Sequence, residues 1–298
     1  MFVKRTDLAL EARELWRESA EATAKLPGVK ATRTKREGYP VTVVEILNDQ
    51  GAKALGKPAG SYRTVDLTTF WQRKPDFFER AVRTLGTELK ELLPGEGTVL
   101  VVGLGNRAMT PDAVGPEVLS HLLVTRHLIS AMPRQFSGFR PVAAFGAGVL
   151  GTTGVESAEA ARALVRETGP DAVIAVDALA ARRMNRVCTT VQLSDTGIIP
   201  GSGVGNHRAA LNRQTLGVPV IAVGVPTVVD AATLAADLLE EAGITEIDEK
   251  KLRGRGKAMT VTPRDIDAQV RDLSKVIGYG INWALQELEI EEINALLS

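Results

Sequence analysis

A single cysteine, Cys188, stands in the 298-residue chain, so no disulfide can form within it. It falls in an apolar run from Val187 to Leu193 that contains no charged residue to activate a thiolate, and it reads as a small core hydrophobe. An excess of charge of one sign is also missing. Lys and Arg total 36 and Asp and Glu total 36, a balance that excludes a nucleic-acid footprint and a polybasic membrane patch. Long apolar runs are scarce. The most apolar stretch, Val218 to Leu239, is broken by Pro219, Pro226, Asp230 and Asp237, which excludes a membrane span. The N-terminal MFVKRTDLALEARELW has neither the apolar centre nor the cleavage site of a secretory signal, so a soluble, cytoplasmic protein is expected.

What is present is a strand–loop–helix rhythm. Leu8, Ala12, Leu15, Ala22 and Leu26 recur at helical spacing before Pro27-Gly28. Val41 to Leu47 and Tyr62 to Leu67 read as strands, and Phe77 to Leu93 as a helix stopped by Pro94-Gly95. Beyond this small N-terminal accessory segment, strands are expected at Thr98 to Val102, Pro141 to Phe145, Ala172 to Val176, Val187 to Leu193 and Pro219 to Val223. Helices are expected at Pro116 to Ile129, Ser157 to Glu167 and Val229 to Ala242, with a mostly helical tail from Pro263 to Leu297. The alternation implies an α/β fold of three layers, α/β/α and hydrolase-like, around a mainly parallel sheet. The division expected is an accessory layer over 8–96, a catalytic core over 97–245 and a helical tail over 246–298.

In such sheets the chemistry sits beyond the carboxyl ends of the strands. The loops there hold glycines and two aspartates, Asp112 and Asp177, 65 positions apart. Two carboxylates brought close cannot both ionise cheaply, so one becomes an acid and the other a base, as hydrolysis of a peptide requires. The plain alternative is that Asp112 caps a helix and Asp177 binds loop amides. The pattern Gly103-x-Gly105-x-x-Ala108 lacks the helix start and the acidic ribose partner of a dinucleotide site, so no cofactor is expected. His121 and His127, six residues apart, do not share a helix face as a metal pair would, and no metal site is expected. His207 lies in a glycine loop, and Asp230 opens a helix as a capping residue. No Gly-x-Ser-x-Gly elbow is present.

Several segments carry a resemblance. GLGNRAMTPDAVGP (103–116), VDALAARR (176–183), GIIPGSGVGN (197–206), VGVPTVVD (223–230), MTVTP (259–263) and GYGIN (278–282) resemble, in order, signatures of the germination proteases of spore-forming bacteria. The resemblance implies a homotetrameric endopeptidase of the forespore and spore core, acting on small acid-soluble spore proteins. It implies a fold shared with hydrogenase maturation proteases, and two essential aspartates that match Asp112 and Asp177. It also implies a zymogen that trims itself at a mimic of its substrates, which carry Thr-Glu, a hydrophobic residue, Ala and a later Glu. Thr6-Asp7-Leu8-Ala9-Leu10-Glu11 is similar, so cleavage between Asp7 and Leu8 is expected to release a propeptide, Met1 to Asp7. Cleavage after an acid calls for a cationic pocket, for which Arg107, Arg182 and Arg183 are candidates. Asn106, Gly203 and Gly205 are candidates for holding substrate through loop amides. Two other readings stay open: a metal-assisted protease using Asp112, Asp177 and His207, and a peptide-binding module without turnover.

Overall fold

The run from Val99 forms a strand buried along its whole length in a computed structural model of the chain, which describes residues 5–18, 26–202, 208–244 and 259–298. The strands are β1 (Val29–Arg36), β2 (Tyr39–Ile46), β3 (Gly60–Asp66), β4 (Val99–Leu104), β5 (Val142–Gly148), β6 (Ala172–Ala181), β7 (Thr190–Ser194), β8 (Val220–Asp230) and β9 (Thr260–Val261). They form one sheet in the order β1-β2-β3-β7-β8-β6-β4-β5, with β9 paired to β8. The portion β8-β6-β4-β5 is parallel. The pairs β1-β2, β2-β3, β3-β7 and β7-β8 are antiparallel. The N-terminal strands β1, β2 and β3 thus continue the central sheet through the β3-β7 pair.

Alternate residues of the central strands feed two cores. After helices α1 (Ala9–Glu18) and α2 (Asp49–Leu55), helices α3 (Phe77–Lys90) and α4 (Val114–Leu119) lie with the long C-terminal helix, Ile266–Gln286, on the side that Val99, Val101, Ile174 and Val176 face. Leu100, Val102, Val173 and Ala175 face the other, under the helix Ser157–Thr168. This is the expected three-layer arrangement, and period-two alternation is what lets one strand serve both layers.

Three expectations are corrected. The helix expected from Pro116 to Ile129 is two helices, α4 and α5 (Arg126–Ala131). Asn282 breaks it, because its side chain accepts from Leu123 N and donates to His121 O. Thr125 then leaves to exchange hydrogen bonds with Val142 at the start of β5. The strand expected from Val187 begins instead at Thr190, after a 3-10 turn and Cys188 at φ +52°. Asp177, expected just past a strand, lies inside β6, which continues to Ala181 by pairing with β8. The helix beginning at Ala9 is described to Glu18, and residues 19–25 lie outside the described residues. No described helix is long and apolar enough to cross a membrane.

Candidate active site

Glycine brings Asp112 to the sheet. A Cβ on Gly115 would meet backbone atoms of Leu104 and Val176 at 2.2–2.6 Å, so only glycine lets α4 sit directly on β4 and β6. Gly105, at φ +109°, turns the chain out of β4; a Cβ there would lie 2.0 Å from Asp112 O. The loop closes on itself, with Asn106 N donating to Asp112 Oδ2 at 2.9 Å and to Asp112 O at 3.0 Å. A register shift between Leu179 and Ala180 leaves Thr227 as an extra residue of β8. Its buried hydroxyl donates to Pro111 O at 2.6 Å and pins the 3-10 turn that carries Asp112.

Asp177 and Asp112 line one cavity of about 560 Å³ together with Gly105, Thr227, Arg208 and Asp7. Asp177 is only 4% exposed, whereas Asp112 is half-buried. Burial pushes the Asp177 carboxyl well above the ordinary carboxylate range. The neighbouring charges of Asp112 and Asp7 push it further, against the Ala178 amide and Arg208. Asp112 is also raised by burial, but the Asn106 amide and Arg208 pull it back. The pair is therefore unequal, with the proton favoured on Asp177 and the charge on Asp112.

The N-terminal segment enters the same cavity. Asp7 N donates to Ala180 O at 2.9 Å, and the Asp7 carboxylate accepts from Ala180 N at 2.8 Å and Ser202 Oγ at 2.7 Å. Leu8 is fully buried. Glu11, also fully buried, accepts from the backbone amides of Arg182 at 2.6 Å and Arg183 at 3.1 Å and from Thr6 Oγ1. Burial raises the Glu11 carboxyl in spite of these donors. Lys57, whose ammonium is disfavoured by burial, feels both Asp7 and Glu11.

The cationic pocket expected from arginine side chains lies elsewhere. Arg107 is exposed and pairs with Glu117. The Arg182 guanidinium forks onto Asp237 at 2.9–3.0 Å, and the Arg183 side chain is exposed. These two arginines meet the segment through their amides; the cations near Asp7 are Lys57 and Arg208. Asn106 lines the cavity, but its side chain accepts from Ala108 N within its own loop. Gly203, Gly205 and His207 lie outside the described residues. Asp230 caps the helix Ala231–Glu241, accepting from Thr233 N at 2.9 Å. Cys188 is buried, and its thiol is pushed up to about 12 by burial. Among the described residues, no three of His, Cys, Asp and Glu gather as a metal ion would need. Sequence reasoning passed over Lys57, Arg208 and Gln192, the last of which donates through Nε2 to Asp7 O at 3.2 Å and accepts at Oε1 from Ala9 N at 2.8 Å. The signal for Gln192 was a lone amide between the apolar Val191 and Leu193, and for Arg208 a cation at the end of a glycine loop.

A profile of the family described as germination protease matches residues 9–242. A germination protease of Caldanaerobacter subterraneus subsp. tengcongensis is 45% identical, over 98% of this chain and 98% of its own. One from Clostridium perfringens is 42% identical over the whole of both chains. One from Bacillus cytotoxicus is 36% identical over 98% of this chain and 96% of its own. Among solved structures, the [NiFe] hydrogenase maturation protease HycI of Thermococcus kodakarensis KOD1 aligns with a TM-score of 0.36 and 14% identity. That alignment covers 65% of this chain and 99% of HycI.

Proposed function

Since the chain belongs to the germination protease family, a family of peptidases, we propose that it is an aspartate-dependent endopeptidase that degrades small acid-soluble spore proteins and is made as a self-trimming zymogen. The observation that carries this reading is that Asp7 lines the same cavity as Asp112 and Asp177. In this reading Asp7, at the cavity, is the acid before the scissile bond, and Glu11 is held four residues past it by the Arg182 and Arg183 amides. The roles we give the pair rest on its electrostatics. Asp112, the carboxyl kept closer to its ionised form, takes a proton from water as the water oxygen adds to the carbonyl carbon. Asp177, kept protonated by burial and by its neighbour, gives its proton to the departing amine. One water is consumed, and an acid and an amine are formed.

Mass spectrometry of the chain, incubated alone and with a small acid-soluble spore protein, tests the reading. The expected result is release of the residues up to Asp7 and cleavage of the substrate after an acid. Asp112→Asn and Asp177→Asn are each expected to slow both by a factor of about 10² to 10⁴. Full activity in either variant removes the pair from the mechanism. Cleavage abolished by a chelator makes the two carboxylates metal ligands instead.

A further inference from the structure

Val176, Val223 and Leu193 pack into one core, so their sequence neighbours Asp177, Gly224 and Gln192 project from the opposite face of the sheet. These three form a single row across β6, β8 and β7, because Gly224 pairs with Asp177 on one side and with Gln192 on the other. Two strand spacings put the Cα atoms of Asp177 and Gln192 about 10 Å apart. Gly224 between them has no side chain of its own and is covered by the side chain of Leu179, while the N-terminal segment bonds Ala180 of β6 and Gln192 of β7 on either side of β8.

Gln192 is 8% exposed, and both ends of its amide are used. Nε2 donates to Asp7 O at 3.2 Å, and Oε1 accepts from Ala9 N at 2.8 Å. The two contacts bracket Leu8. They also fix the orientation of the amide, since a flip would set donor against donor at Ala9 and acceptor against acceptor at Asp7. The N–H therefore has to face the carbonyl oxygen of the Asp7–Leu8 bond. At 3.2 Å this contact is at the long end of the hydrogen-bond range, so it has room to shorten as charge grows on that oxygen. A donor that binds more tightly in the transition state than in the ground state accelerates the chemical step.

We propose that Gln192 is a catalytic residue whose side-chain amide holds the scissile carbonyl oxygen and stabilises the oxyanion formed when water adds. The proposal rests on the reading above, in which Asp7–Leu8 is a substrate bond. Gln192 and Asp177 then work from opposite sides of the row. Gln192 bears on the oxygen that gains charge, and Asp177 supplies the proton for the amine that leaves. The contacts are to backbone atoms, so the same clamp serves any extended substrate whatever residue follows the acid.

The test is single-turnover self-cleavage of the full chain at Asp7–Leu8, followed by mass spectrometry. Amide hydrogen exchange at Ala180 and Arg182, which donate to Asp7 and Glu11, reports docking of the segment. Gln192→Glu keeps an acceptor for Ala9 N and replaces the donor by a carboxylate. It is expected to slow cleavage at least about 100-fold with both amides still protected. Gln192→Met, of similar length and suited to a buried site, gives the same reading if the first variant does not fold. Cleavage within about threefold of the unaltered chain overturns the proposal, as does loss of protection in step with loss of rate, which would make Gln192 a structural tether only. Failure of the unaltered chain to cleave at all sinks the underlying reading, and the proposal with it.

Discussion

Replacing Gly115 by Ala should cripple the site from a position whose side chain would never touch substrate. The added Cβ would lie 2.2 Å from Leu104 O, 2.5 Å from Leu104 N and 2.6 Å from Val176 O. Returning the worst contact to 3.0 Å requires a retreat of roughly 0.8 Å. β4 and β6 are each paired with a strand on both sides, so the retreat falls on α4 and on Asp112, which only Ala113 separates from it. A misplacement of about 1 Å in a reacting group costs about 100-fold in rate. Overpacking of this kind costs about 1–3 kcal/mol, which lowers the Tm of a chain this size by roughly 2–5 °C. The assay is self-cleavage at Asp7–Leu8 together with thermal unfolding. Gly138→Ala serves as the control, because nothing lies within 4 Å of its Cβ position and its φ is not positive. Gly115→Ala with a rate within about threefold and a Tm within about 1 °C of the unaltered chain would refute the close-approach account of how Asp112 is placed.

Asp177→Asn should lose activity yet gain stability at neutral pH. The Asp177 carboxyl is raised in the folded state, so its favourable contribution is complete below the unfolded value, 3.8, and is lost as pH rises through the raised folded one. Over that window the difference in stability between variant and parent should grow by about 1.4 kcal/mol per pH unit, and activity should fall on the same alkaline limb. Denaturant melts across pH that run parallel for the two proteins would count against the assignment. Glu11→Ala should loosen the docked segment, since the Arg182 and Arg183 amides lose a buried acceptor at about 1–3 kcal/mol each. Amide exchange at those two positions is expected to quicken about 10- to 1000-fold; unchanged protection would show that Glu11 is not the anchor.

The parallel strands were legible because burial on both faces writes itself as unbroken Val, Ile, Leu and Ala, as in Val99–Leu104. β1 was not, because Val29–Arg36 is an edge strand with mostly exposed residues and four Lys or Arg, and its membership comes from pairing with β2. The upper halves of β6 and β8 were missed for a related reason. Asp177, Gly224, Pro226 and Thr227 read locally as loop, yet the two segments satisfy each other's backbone groups as a bulged pair. The two aspartates stood out in the sequence because carboxylates at strand ends are chemically conspicuous. Gln192 was not, because a lone amide in a strand gains meaning only when another segment is laid across it.

The bulge connects these observations. Had β6 and β8 stopped where local sequence suggested, Asp177 would sit at a strand tip, as open to water as Asp112. Because the pair continues, Asp177 is sealed between strands while Asp112 stays on a turn served by the Asn106 amide and by Arg208. The same extension delivers Thr227 to Pro111 O and Ala180 to Asp7. The continued pairing of β6 and β8 thus makes the two carboxyls unequal and provides the backbone groups on which the N-terminal segment docks, while its bulge residue, Thr227, fixes the turn that carries Asp112. If acid and base are divided between Asp177 and Asp112 as argued, the division originates in strand pairing, and relieving the bulge should bring the two carboxyls closer in character before it unfolds the sheet.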